Sequence, residues 1–124
     1  MVFVVQRYTF ALLFCFMYVY NVSVQVPKSL TLKWTSYMLK GHMDAVLATT
    51  CFQSAQLSKL HHAQQQDDEY TTFIVQYSFN EMAQYERYQK QFAPALQADH
   101  QSHFGETCLA FRTVLEIIEH KKSR

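Results

Sequence analysis

Apolar and polar residues alternate along residues 18–26. Tyr18, Tyr20, Val22, Val24 and Val26 fall on one side, with Asn21, Ser23 and Gln25 on the other. A period of two, built from β-branched and aromatic side chains, predicts a half-buried strand. Pro27 closes it, because proline has no N–H for the ladder. Ser29 is placed to cap a helix, in which Leu30, Trp34, Tyr37 and Met38 recur at helical spacing to about Lys40. Gly41 is a natural stop, and residues 42–48 add a short helical turn. Residues 52–60 form a weaker strand, with Ala55 and Leu57 opposed to Ser54, Gln56 and Ser58. The polar stretch 61–69 is a hairpin loop. Residues 70–79 are the clearest strand after the first, with Phe73, Val75, Tyr77 and Phe79 against Thr72, Ile74, Gln76 and Ser78. Asn80 is placed as the next helix cap, with Ser78 and Glu81 as a competing pair. Met82, Tyr85, Tyr88, Phe92 and Leu96 then make an apolar stripe, which kinks or restarts at Pro94 and ends at Gly105. Residues 107–115 are the last strand, with Leu109, Phe111 and Leu115 opposed to Cys108, Ala110, Arg112 and Val114.

Strand, helix, strand, strand, helix, strand is the α+β ferredoxin-like βαββαβ order. In that sandwich the helices cover one sheet face. The richly apolar sides predict that face: Val22, Val24, Phe73, Val75, Tyr77, Leu109 and Phe111 against Trp34, Met38, Tyr85, Phe92 and Leu96. The open face then displays Asn21, Ser23, Gln25, Gln76, Ser78, Cys108 and Arg112, with Gln56. Two such faces packed together enclose a polar cavity whose charged group is Arg112.

Composition changes this picture at one end. The chain of 124 residues is 49% hydrophobic, and 17 of the first 20 residues are apolar. Residues 1–16 are read as an extension ahead of a domain at 17–118, with 119–124 a charged tail. Met17 as the natural start is preferred over a secretory or anchor segment and over a structured extension, because a cleavage near Asn21 would destroy the first strand. The domain is thus expected in the cytoplasm, or exported or anchored if residues 1–16 are genuine. The formal net charge is +1, which argues against a nucleic-acid binder. The cysteines, Cys15, Cys51 and Cys108, form no disulfide framework. With Gly41 and Gly105 the only glycines, glycine-rich phosphate cradles are excluded.

The segments Tyr20-Asn21-Val22-Ser23-Val24, Trp34 with His42 and Val46-Leu47, and Thr49-Thr50-Cys51-Phe52 have a familiar pattern. So do Val75-Gln76-Tyr77, Tyr85-Glu86-Arg87-Tyr88, Phe92-Ala93-Pro94-Ala95-Leu96-Gln97, His100, Phe104-Gly105 and Ala110-Phe111-Arg112-Thr113. Together they resemble a bacterial family of about one hundred residues known only as a domain of unknown function, over roughly residues 17–118. Its members are similar to dimeric α/β-barrel proteins, so the resemblance implies a homodimer. Thr50 stands where that family usually has glycine, and Asp44 where it usually has proline.

The chemistry-bearing residues support two function classes. Arginine suits a planar carboxylate or phosphate, so Arg112, with Asn21, Gln76 and Ser23, is the expected site for a small polar or anionic ligand; a partner protein is the other occupant of that face. A carboxylate across a dimer interface, or solvent, is the competing partner for Arg112. The second class is a cofactor-independent enzyme, monooxygenase- or isomerase-like as in related dimeric barrels, with His42 and His100 as catalytic candidates beside Asn21, Tyr20 and Trp34. His100 and His103 are spaced to share a helix face, but no third ligand completes a metal site. No metal, cofactor or nucleic acid is expected, nor a membrane for the domain itself.

Overall fold

The computed structural model describes residues 16–61 and 69–124. The reading of residues 1–16 as an extension therefore lies outside the described residues except at Phe16, as does most of the 61–69 loop. Strand β1 (Tyr18–Pro27) leads through a single tight turn, Lys28–Leu30, into helix α1 (Thr31–Tyr37). A five-residue π turn, Met38–His42, continues directly into α2 (Met43–Ala48). Strands β2 (Ser54–Lys59) and β3 (Tyr70–Phe79) follow, then α3 (Met82–Gln91), α4 (Ala93–Phe104) and β4 (Leu109–Glu116). The sheet order is β2-β3-β1-β4, with every neighbour antiparallel. This is the ferredoxin-like sandwich that the element order implies. Among the described residues no helix is long and apolar enough to cross a membrane.

Several local expectations change. Gly41 does not stop the first helix. Met38, Met43 and Val46 are all buried along the same run, and that burial outweighs the cost of about 1 kcal/mol that a helical glycine carries. Ser29 makes no side-chain cap; instead Thr31 Oγ1 donates to the Lys28 carbonyl at 3.0 Å. Glu81, not Asn80, is the cap residue of α3, and Gln84 Oε1 accepts from the N–H groups of both, at 3.1 and 3.0 Å. Pro94 sits in the first turn of α4, where its missing N–H costs nothing, so the stripe restarts rather than kinks.

The register settles the faces. Tyr20, Val22 and Val24 of β1 pair with Tyr77, Val75 and Phe73 of β3, and with Val114, Arg112 and Ala110 of β4. All of these lie on the helix-covered face. The expected placement of the last strand is therefore reversed: Cys108, Ala110, Arg112 and Val114 face the helices, while Leu109, Phe111 and Leu115 lie on the open face, about half exposed. Alternation defines two sides of a strand but does not say which meets the core. On β4 the greasier side is the one the helices leave bare.

Trp34 is fully buried and stacks on Phe73 with ring centroids 4.9 Å apart. Its indole N–H donates to His100 Nε2 at 3.0 Å, across 66 residues of chain. That bond clamps α1 to α4 over the sheet. It also selects the neutral ring with the proton on Nδ1, since an imidazolium has no lone pair to accept with. Burial, followed by the charges of His42, Arg112 and His103, pushes the pKa of His100 down to about 4, against an upward pull from Asp99.

Thr50 has φ 65°, the left-handed region, where a β-branched residue is strained. Arg87 Nη2 steadies the turn by donating to Thr50 Oγ1 at 3.0 Å and to the Thr49 carbonyl at 3.3 Å. Thr50→Gly removes the strain and two exposed hydrogen bonds of the Thr50 hydroxyl, to the Thr49 carbonyl and from Arg87. Stability is expected to rise by about 0.5–1 kcal/mol, read from urea unfolding midpoints; a drop would show that the Arg87 contact outweighs the strain. A second outcome concerns pH. The unfolded chain protonates His100 near pH 6.5 and the folded chain near 4, so the unfolded state binds more protons between those values. The contribution of His100 is then flat above about pH 6.5 and falls as pH drops toward 4. His100→Gln keeps an acceptor for Trp34 but does not titrate. Between pH 7 and 4.5 it should lose about 1 kcal/mol less than the wild type, the ring being only half-buried; equal losses would refute titration of His100 as the source.

Candidate functional site

The helix-covered face does not close completely. Between the sheet and α1, α3 and α4 lies a cavity whose floor is Tyr20, Val22 and Val24 of β1 with Val75 and Tyr77 of β3. Trp34, Met38 and His42 form one wall, and Tyr88, Leu96, Gln97 and His100 the other. Ala110 and the exposed Arg112 complete it from β4. Water-molecule centres can occupy about 50 Å³ of it. One water needs roughly 10–15 Å³ on that scale, so the space suits a small molecule and not a polymer segment.

His42 reaches this wall because of the π turn. Successive residues of an α-helix advance by about 100°, so positions five apart diverge by roughly 140°. The wider i→i+5 turn brings Tyr37 and His42 onto one line. Their rings stack at 5.3 Å and 28°, and Tyr37 Oη lies 3.1 Å from His42 Nδ1. Tyr37 Oη donates its single proton to Asp99 Oδ2 at 2.5 Å. Burial, then the hydrogen bond and charge of Asp99, hold the Tyr37 phenol well above its ordinary pKa, so that proton stays. The Tyr37 oxygen must therefore accept from His42 Nδ1–H. This leaves the lone pair of His42 on Nε2. Burial lowers the pKa of His42, with Asp99 pulling weakly the other way, so the ring is neutral near pH 7.

The opposite side of the cavity is phenolic and cationic. Burial raises the Tyr20 pKa above its ordinary value, while the Arg112 guanidinium beside it and a hydrogen bond from Gln89 act in the opposite direction. Tyr77 and Tyr88 are raised further, again chiefly by burial. All three phenols are neutral at physiological pH. Among the described residues no carboxylate forms an ion pair with Arg112.

The residues singled out in the sequence divide between the two sheet faces. His42, His100, Tyr20, Trp34 and Arg112 come together in the cavity. Asn21, Gln76 and Ser23 do not join them. They lie on the open face, where Gln56 Nε2 donates to Gln76 Oε1 at 2.9 Å, Gln76 Nε2 to Asn21 Oδ1 at 3.2 Å, and Asn21 Nδ2 to Ser23 Oγ at 3.5 Å. The expected cavity between two sheets with Arg112 inside is thus corrected: Arg112 projects from the other face, into a cavity within one chain. His103 shares a face with His100, both rings meeting Tyr37 and Phe104, but it does not line the cavity. It is exposed, with Nδ1 2.8 Å from the Asp99 carbonyl. Among the described residues no three His, Cys, Asp or Glu side chains gather to hold a metal. Cys51 is buried and Cys108 half-buried, both as free thiols. Tyr37, Asp99 and Gln97 were not singled out. Tyr37 read as one of a helical apolar stripe, and Asp99 meets it only across 62 residues of chain.

No curated protein matches the chain. Among solved structures it is similar to an EthD-like protein from Ralstonia eutropha, with a TM-score of 0.61 and 12% identity over 88% of this chain and 100% of that one. It is also similar to a Bacillus cereus protein named as a candidate antibiotic biosynthesis monooxygenase, with a TM-score of 0.53, 12% identity and coverage of 88% and 100%. A dimeric ferredoxin-like protein from an uncultured marine organism gives a TM-score of 0.51 at 8% identity, covering 86% and 100%. These likenesses show the fold. Residues 17–118 match the domain of unknown function DUF4286, and the chain belongs to that family.

Proposed function

We propose that this chain is a small homodimeric module that holds a small anionic ligand, best a planar carboxylate, between its sheet and its helices. The observation that carries this reading is Arg112. Among the described residues it has no carboxylate partner, and it borders a cavity lined with neutral phenols and imidazoles. A guanidinium fork there matches a carboxylate in shape and charge. The second reading, catalysis without a cofactor in the same cavity, is favoured by a separate observation: His42 and His100 share the walls, and both rings are held neutral. The monooxygenase name of one structural neighbour adds nothing to this, since a shared fold does not transfer a reaction.

The homodimer reading rests on the open face. Its rows run Ser54–Ser78–Val19–Leu115, Gln56–Gln76–Asn21–Thr113, and Ser58–Ile74–Ser23–Phe111, with Thr72–Gln25–Leu109 at the end. No position in these rows is charged, in a chain that is 17% charged. Charge depletion with exposed apolar residues marks the centre of an interface. The side-chain ladder from Gln56 to Ser23 keeps its amides paired when water is excluded.

Two measurements check these readings. In an NMR titration with pyruvate, benzoate and inorganic phosphate, a millimolar ligand should shift resonances of the cavity residues. Arg112→Ala should weaken that binding by about 10- to 100-fold, the worth of a charge-assisted hydrogen bond. No shift from any of the three, or equal binding by the variant, sinks the ligand reading. In sedimentation velocity, the wild type should run as a dimer and Phe111→Glu as a folded monomer. A wild-type monomer, or an unchanged variant, contradicts the sheet-face dimer.

A further inference from the structure

We propose that the cavity is catalytic, with His42 Nε2 as the base that moves a proton on a small enolisable carbonyl compound bearing a carboxylate. The carboxylate half of this rests on the Arg112 reading above; the base rests on independent geometry. His100, with Nε2 accepting from Trp34, leaves only an N–H on Nδ1 and no lone pair to take a proton. His42 has only Nδ1 bound, to Tyr37. Among the described residues no buried side-chain nitrogen or oxygen is left without a hydrogen bond. His42 Nε2 has no partner there, so it is open to space, and the space that His42 borders is the cavity.

Three features arrange this ring as a base. The proton order Asp99···H–Oη of Tyr37···H–Nδ1 of His42 fixes the tautomer with its lone pair on Nε2. When Nε2 takes a proton, the imidazolium is stabilised through the Tyr37 oxygen and the Asp99 carboxylate behind it. Asp99 and Tyr37 touch no substrate in this arrangement, so they are positioning residues. The titratable groups facing the ring are Tyr37 on its own helical run and Asp99 and His100 on α4. His100 is already committed to Trp34 through Nε2, which leaves His42 as the free base. Arg112 supplies the positive charge at the other end, where negative charge collects.

The step balances without a further reactant. His42 Nε2 takes the proton from the carbon next to the carbonyl. The C–H electron pair forms a carbon–carbon π bond and the carbonyl π pair moves onto oxygen, giving an enolate. The imidazolium returns the proton to carbon or to that oxygen. Nothing is oxidised or reduced, and the product is the tautomer or the re-protonated acid.

Pyruvate, 2-oxobutyrate and acetoacetate in heavy water provide the test. Proton NMR follows loss of the C–H signal next to the carbonyl. The wild type should speed exchange above buffer and above an equal concentration of free imidazole. His42→Gln should lower that rate by about 10²- to 10⁴-fold. Tyr37→Phe, which releases the tautomer, should lower it at least about tenfold while binding is kept. Long-range proton–nitrogen spectra of the wild type should show Nδ1 protonated and Nε2 bare at pH 7, a readout that needs no variant to fold. Binding without exchange, exchange untouched by His42→Gln, or a protonated Nε2 overturns this proposal alone. Failure of all three acids to bind overturns this proposal, and the Arg112 reading falls with it only if benzoate and phosphate fail as well.

Discussion

The hydrogen bond from Trp34 to His100 is the constraint on which the cavity depends. A fully buried indole must place its N–H on an acceptor or lose the energy of a stranded donor. The acceptor it finds is an imidazole on the second long helix, so the bond spans the helical layer. It ties α1 to α4 over the sheet, and both of its side chains line the cavity. It also keeps His100 neutral, because the bond exists only while Nε2 has its lone pair. Packing, electrostatics and site shape thus meet in one pair of side chains.

The π turn is the second device, and it acts on the neighbouring wall. A regular helix would carry His42 round to another face from Tyr37. The inserted register instead lines up the two, and Asp99 on α4 completes the row. Such turns recur at functional sites because they place side chains that a regular helix cannot. The result is two histidine rings with centroids 6.1 Å apart and different duties: the lone pair of one is taken by Trp34, and that of the other is left open.

The sheet has two differently built faces. One is aromatic and aliphatic, with Arg112 on the edge strand as the charged side chain that borders the cavity. The other is free of charge in its paired rows, with a side-chain amide ladder across its middle and Leu109, Phe111 and Leu115 along one side. Edge strand β4 serves both. Its polar-looking side enters the cavity, and its apolar side stays bare. Reading that strand alone reverses the two, because hydrophobicity reports a need for burial without naming the surface that supplies it.

Periodicity along the chain was enough for the four strands, the helical stretches between them and the α+β order, since each depends on local alternation or helical spacing. Side-chain chemistry, with the resemblance to dimeric barrels, picked out His42, His100, Trp34, Tyr20 and Arg112 as candidates. It could not group them. Asn21, Gln76 and Ser23 are equally polar, yet they fall on the far side of the sheet, and the pairing of Val22 with Arg112 is a long-range register that no local pattern encodes. Gly41 looked like a stop because local propensity disfavours it, whereas burial of Met38, Met43 and Val46 carries the helix through. Asp99 became part of the site only when α4 folded back over α1. Short-range preferences set the elements; contacts between residues far apart in the chain set the faces, the cavity and the proton order within it.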